Sequence, residues 1–235
     1  LLYNHRFEKG DVLTIGSEFM HDYLYNTNLE NETRNQNTWD LFGQYDWRIS
    51  DQWEAVGAVR YDYFSDGKES HVTPKLNVCY KPIYNLSIRA GYGMGFIAPT
   101  LKEKYYNFDM AGIWIVEGNA NLKSEVSHNF NLSAEYTKGH YNLTGSVYYN
   151  KVKNKLATSV PYFKTPNDKL PYLPYANLDD YSVCGGEIGA QAKWNNGLGA
   201  RLTYAYTKEQ LAKDKDGHTI NNQYIPAREH ALNAR

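Results

Sequence analysis

Hydrophobic and polar residues alternate along most of this chain. From Trp39 to Ile49 the odd positions read Trp39, Leu41, Gly43, Tyr45, Trp47 and Ile49, and the even ones Asp40, Phe42, Gln44, Asp46 and Arg48. A period of two is the repeat of an extended strand, whose successive side chains face opposite sides. The same alternation returns from Trp53 to Tyr63, Leu86 to Phe96, Glu125 to Tyr136, Tyr141 to Asn150 and Leu198 to Thr207. No helical period competes with it. The pattern predicts an all-β chain of antiparallel, up-and-down strands.

The connections between these runs alternate in length. Tight turns fit Lys9-Gly10-Asp11, Ser50-Asp51-Gln52, Lys81 to Tyr84, Lys138-Gly139-His140 and Asn195-Asn196-Gly197, where Gly, Asn, Asp and Pro supply turn chemistry. Longer polar stretches lie between them, over residues 26 to 36, 65 to 71, 97 to 124, 154 to 175 and 212 to 222. Tight turns at one end and long loops at the other are the rhythm of a β-barrel that crosses a bilayer, where strands of about 9 to 11 residues suffice. Charges at mid-strand, including Asp46, Asp62, Arg48 and Arg60, all fall on the polar face. In a wide barrel that face lines a wet lumen while the apolar face meets lipid. The strand count comes to about eleven, the last strand running from near Tyr224 to Arg235. An odd count leaves an edge that lipid cannot satisfy. Residues 1–235 therefore read as a partial transmembrane β-barrel domain, cut at both ends.

Composition sharpens this picture. The 235 residues carry 25 Lys+Arg against 26 Asp+Glu, a net charge of −1, which supplies no basic surplus for nucleic acid. No apolar run reaches the length of a membrane-spanning helix. Mean hydropathy is −0.67 although 15% of residues are aromatic, 22 of them Tyr. Alternation reconciles the two, because polar and aromatic residues occupy opposite faces. Cys79 and Cys184 form no metal-ligand spacing, and Gly-x-Ser-x-Gly, phosphate-loop and HExxH motifs are absent. No catalytic residue, metal or cofactor is expected, and an enzyme is not. Two other function classes remain open at this point, a passive porin and a soluble or surface β-rich binding protein.

One stretch carries a family signature. Gly91 to Tyr106 reads GYGMGFIAPTLKEKYY, and Glu117 to Phe130 reads EGNANLKSEVSHNF. These resemble TonB-dependent outer-membrane receptors, whose Phe-Arg-Ala-Pro-Thr box is matched by Phe96, Ala98, Pro99 and Thr100, and whose Asn-Pro-x-Leu-x-Pro-Glu box is matched by Asn119, Leu122 and Glu125. The nearest resemblance is to receptors from Bacteroidetes, their haem receptors among them. Ile97 stands where the first box has Arg, and Ala120 and Ser124 where the second has Pro. Loss of that Arg removes a bidentate partner for a carboxylate, and loss of the prolines loosens the turn leading into the strand at Glu125.

The resemblance implies a barrel of about 22 strands closed by a plug domain. Such a receptor takes up haem, siderophore-bound iron or cobalamin across the outer membrane of a Gram-negative bacterium. Its implied partners are outer-membrane lipid, the plug of the same parent chain, an inner-membrane energy-coupling protein reached through an upstream region, and a surface ligand-delivery lipoprotein. Haem receptors commonly place a His between the two boxes; here none occurs from Ile97 to Asn121. Tyr105, Tyr106, Met110 and Trp114 occupy that loop as candidate ligand contacts, or as its internal packing. By parity His71 faces the lumen at the extracellular end and is a candidate ligand contact, or a solvated lumen side chain, and His218 in a later long loop is a second candidate; His128 falls on the lipid face and His140 in a tight turn, away from an extracellular ligand. Arg48, Arg60, Arg89, Glu135 and Arg201 are expected to face the lumen, pairing with neighbouring strands or with the plug.

Overall fold

The computed structural model describes residues 1–27, 33–178, 180–210 and 228–235. The chain opens with β1 (Leu2–Arg6), β2 (Val12–Tyr25), β3 (Thr33–Arg48), β4 (Trp53–Phe64), β5 (Glu69–Ile83) and β6 (Leu86–Ile97). A short helix, α1 (Leu101–Tyr105), and the small strands β7 (Phe108–Met110) and β8 (Trp114–Glu117) lie in the following loop. After β9 (Glu125–Lys138) and β10 (Tyr141–Lys153) come two more short strands, β11 (Lys155–Thr158) and β12 (Tyr172–Leu178). The chain ends on β13 (Tyr181–Lys193), β14 (Gly199–Gln210) and β15 (His230–Ala234).

Eleven strands form one antiparallel sheet in the order β1-β2-β3-β4-β5-β6-β9-β10-β13-β14-β15, so each strand pairs with the next long strand in sequence. The two faces differ as the alternation requires. Trp39, Leu41, Val59, Leu132, Val147 and Leu202 are exposed on one side, whereas Asp40, Asp62 and Gln36 are buried on the other. Apolar outside and polar inside inverts the arrangement of a water-soluble domain. At the short-turn end the exposed aromatics include Trp47, Trp53, Tyr141 and Trp194, and Trp53 stacks on Tyr80 at 4.2 Å. The turn joining β9 to β10 places Gly139 at a φ of +56°, which glycine adopts without the Cβ clash other residues meet.

Two expectations are corrected. Residues 65 to 71 are not a long loop: Phe64 already pairs with Glu69 and Asp62 with His71, leaving a four-residue turn at 65–68. Gly67 and Lys68 take φ values of +76° and +53° there, and the polarity of Glu69 and His71 is that of an inward face. Phe96 belongs by parity to the outer face, yet its ring stacks on inward His71 at 4.3 Å and meets Phe64 edge-on at 5.7 Å. The β5–β6 ladder extends only to Lys75 and Gly93 on that side, which frees Phe96 to turn inward. The last strand is described from His230; Tyr224 and His218 lie outside the described residues.

Candidate functional site

The long-loop end carries structure that the alternation does not announce. β11, β12, β8 and β7 make a second, four-stranded sheet from the two loops at 98–124 and 154–180. Its centre is a parallel pair, Tyr172 opposite Ile115 and Leu173 opposite Val116. Val116 and Leu173 are buried at this seam.

The first loop leaves β6 through the Ala-Pro-Thr box. Thr100 caps α1: its hydroxyl accepts from the Glu103 amide at 3.2 Å, and the Glu103 carboxylate accepts from the Thr100 amide at 2.8 Å. This reciprocal capping box starts a helix of five residues where propensity alone would not. Pro99 and Leu101 are buried beneath it. The helix then fastens onto the β4–β5 turn. Lys104 Nζ donates to Asp66 Oδ2 at 2.9 Å, the Tyr105 hydroxyl donates to Asp66 Oδ1 at 2.9 Å, and the Arg34 guanidinium lies 4.6 Å from the Tyr105 ring centre. Burial, and then the bond to Asp66, push the Tyr105 hydroxyl pKa above its ordinary value.

The second box does the same work at the other end of the loop. Asn119 is tied into the loop base: its side-chain NH₂ donates to the Tyr175 carbonyl at 3.0 Å, and its amide to the Glu103 carbonyl at 2.9 Å. Leu122 is buried. Glu125 pairs in register with Ile97, so an Arg at 97 would face a carboxylate; here Glu125 accepts from the Leu156 amide at 3.0 Å instead. Ser124, expected to leave the turn looser than Pro would, is buried and donates its hydroxyl to Glu69 at 2.7 Å. The turn is therefore tied to β5 by a hydrogen bond that proline cannot make. Of the box residues, Thr100, Asn119 and Glu125 fasten the loop base through these bonds, and Pro99 and Leu122 are buried within it.

Gly118 stands where the two ends of this loop meet. A Cβ on it would lie 2.9 Å from the backbone C and O of Lys104 and the N of Tyr105, closer than packed carbon atoms tolerate. Gly118→Ala is expected to cost about 1–3 kcal/mol of local stability, read as faster hydrogen exchange at α1 with the long strands unaffected.

The loop aromatics are largely committed to one another. Tyr106 stacks on Phe108 at 5.3 Å, with Lys102 Nζ 4.8 Å from the Phe108 ring. The Trp114 indole N–H points at Met110 Sδ at 3.2 Å, and Met110 keeps about half its surface exposed. Glu117 accepts from Tyr162 and Lys164 of the other loop at 3.0 and 2.6 Å, and these bonds raise the pKa of both donors. His71, besides stacking on Phe96, has Nε2 3.7 Å from Glu69 Oε2. Outward His128 meets the Tyr92 hydroxyl at 3.0 Å.

Lower on the inner face, charges pair across strands. Arg60 reaches across to Asp40 of β3 at 2.7 Å and along its own strand to Asp62 at 2.6 Å, and Arg89 meets Glu135 of β9 at 3.3 Å. Arg48 packs over the Gly10 turn, and Arg201 stands opposite Gln191 in register. Of this network the sequence offered the inward parity; the Lys104–Asp66 and Ser124–Glu69 contacts left no local signal.

A meander of long strands, apolar outside and charged inside, with its large loops gathered at one end, defines a segment of outer-membrane-type β-barrel wall. The family model for the TonB dependent receptor-like β-barrel matches residues 3–235, and the chain belongs to that family. It is 31% identical over 136 residues to the vitamin B12 transporter BtuB of Photobacterium profundum, an alignment covering 57% of this chain and 21% of that protein. Among solved structures, the siderophore receptor PirA from Pseudomonas aeruginosa superposes with a TM-score of 0.79 at 19% identity, over 88% of this chain and 41% of the receptor. The FrpB iron transporter from Neisseria meningitidis gives 0.66 at 18%, over 92% and 36%. These last two likenesses show the fold. The chain spans less than half the length of each relative.

Proposed function

We propose that this chain is part of the barrel of a receptor in the outer membrane of a Gram-negative cell, which imports a large, scarce ligand past a plug domain with energy delivered by an inner-membrane coupling protein. The observation that carries the reading is the pairing of an exposed apolar outer face with a charged inner face under a fastened loop cap. Lipid covers the first, and lumen and plug use the second. Residues 1–235 then supply about half of a barrel of some 22 strands. Siderophore-bound iron and cobalamin are the cargo classes that the relatives' names support; haem remains a third, without a His in the first long loop to ligate its iron.

Tyr106, Met110 and Trp114 are proposed to contact cargo through the faces their mutual packing leaves open, while Tyr105 holds the rim. A passive porin or a soluble binding protein is not favoured, since the whole sheet matches the receptor family. Deleting the parent gene is expected to abolish growth on one of three limiting sources: haem, a ferric siderophore or cobalamin. Unchanged growth on all three overturns active uptake of these ligands.

A further inference from the structure

Charge is sorted by sign across the two faces of this wall. In the ladder registers every Asp and Glu of β2 to β6, β9, β10, β13 and β14 stands on the inner face. The formal charges that point outward on these strands are all lysines. Lys138 lies beside the β9–β10 turn, whereas Lys151, Lys153 and Lys208 gather at the long-loop end. Lys153 and Lys208 are exposed and have no ion-pair partner among the described residues. Lys151 lies 3.7 Å from Asp180, with the two side chains 42% and 48% exposed, a geometry that contributes little.

Below these lysines the outer face is hollow. Ala90 is set in register between Val78 and Leu132, with Val147 on the next strand, and its small side chain leaves an apolar depression of about 440 Å³ among them. The rings of Tyr92, Phe130 and Tyr149 close its end toward the long loops, with centres 4.8 and 6.5 Å apart along the row. One step further along the same ladder stand His128 and Lys151, with His128 Nδ1 held by the Tyr92 hydroxyl at 3.0 Å. An apolar trough that runs into aromatic rings and then into cations has the polarity profile of a single lipid, acyl chain first and anionic head last. Lys208 lies two strands from Lys151, about 10 Å at the usual strand spacing, which seats two phosphates side by side.

We infer that the outward face of β9, β10, β13 and β14 holds an outer-leaflet lipid whose head carries two phosphates, with an acyl chain in the trough at Ala90. The inference rests on the outer-membrane placement proposed above and adds a specific lipid partner. A lysine that merely snorkels to the membrane surface makes no demand on the lipid beside it, and Lys138 is of that kind. Three lysines over one trough, on a face with no strand carboxylate to repel the head, do make one. Each is expected to strengthen binding of an anionic head by about 5-fold.

The test is lipid retention by the full-length receptor, read by native mass spectrometry from a neutral detergent. The probes are a bisphosphorylated acylated disaccharide lipid, its phosphate-free analogue with the same acyl chains, and phosphatidylglycerol. The bisphosphorylated lipid is expected to bind on the order of 100-fold more tightly than the phosphate-free one, and about 5- to 10-fold more tightly than phosphatidylglycerol. Lys151→Gln, Lys153→Gln and Lys208→Gln together should remove that advantage, whereas Lys138→Gln should leave it intact. Ala90→Trp, which fills the trough, should weaken all three lipids. Equal binding of the phosphorylated and phosphate-free lipids by the unsubstituted receptor overturns the inference without any variant. Equal binding of phosphatidylglycerol does so too, as does a triple variant that folds, by the mobility of unheated samples, and keeps the preference. Lipid indifference leaves the growth test of uptake standing, and unchanged growth on all three sources leaves lipid retention unaffected.

Discussion

Asp66→Ala is expected to unfasten the base of the first long loop. The substitution strands Lys104, whose side chain is 5% exposed, and leaves the Tyr105 hydroxyl without its acceptor. Removing one member of a buried ion pair costs about 3–5 kcal/mol. At the lower bound, exchange of the α1 amides rises roughly 100-fold, with tryptic cleavage at Lys102 and Lys104 to match. Adding Lys104→Met removes the stranded charge and should recover most of the protection, because much of the cost lies in burying that charge unpaired. Wild-type exchange in the single variant would mean the pair does not hold the loop. Alkali should loosen the same fastening. The Tyr105 pKa is raised on docking, so its contribution is whole below the ordinary tyrosine pKa and is lost as pH climbs from there through the docked value.

The second large effect lies on the opposite side of the wall. Val147 sits near the middle of β10, 55% exposed, opposite Leu132 and Gly186. Its neighbour Ser146 points inward, opposite Ser133 and Glu187. Arginine at Val147 is expected to destabilise the barrel in lipid by about 2–4 kcal/mol. Arginine at Ser146 gains Glu187 as a partner and should fold almost normally. Urea titration of the full receptor in vesicles, followed by the mobility shift of unheated samples, reads both. Equal damage at the two positions would sink the assignment of faces.

The parity that separates Val147 from Ser146 is readable because it is local: each long strand repeats the same in-and-out choice over 12 or more residues in β3, β4, β9 and β10. The turn at 65–68 is obscured for a related reason. A run of polar residues reads as a loop unless the inward face is already known to be polar, as it is for Glu69 and His71. The loop sheet is invisible in the sequence because its strands are 3 to 7 residues long and pair across two different loops. Phe96 breaks parity where its ladder to β5 ends. The family boxes are legible as residues but not as roles. Ser124 looks like a lost proline until its hydroxyl is found on Glu69, and Tyr105, a candidate ligand contact, is bound into the rim by a residue 39 positions away.

The parallel pairing of β12 with β8 has an evolutionary consequence. Two loops that share backbone hydrogen bonds cannot drift separately in length, since an insertion in one shifts the register the other must meet. Homologues that exchange cargo should therefore trade these two loops together as a single inherited cassette, and a chimaera that swaps only one should assemble its barrel yet fail at capture.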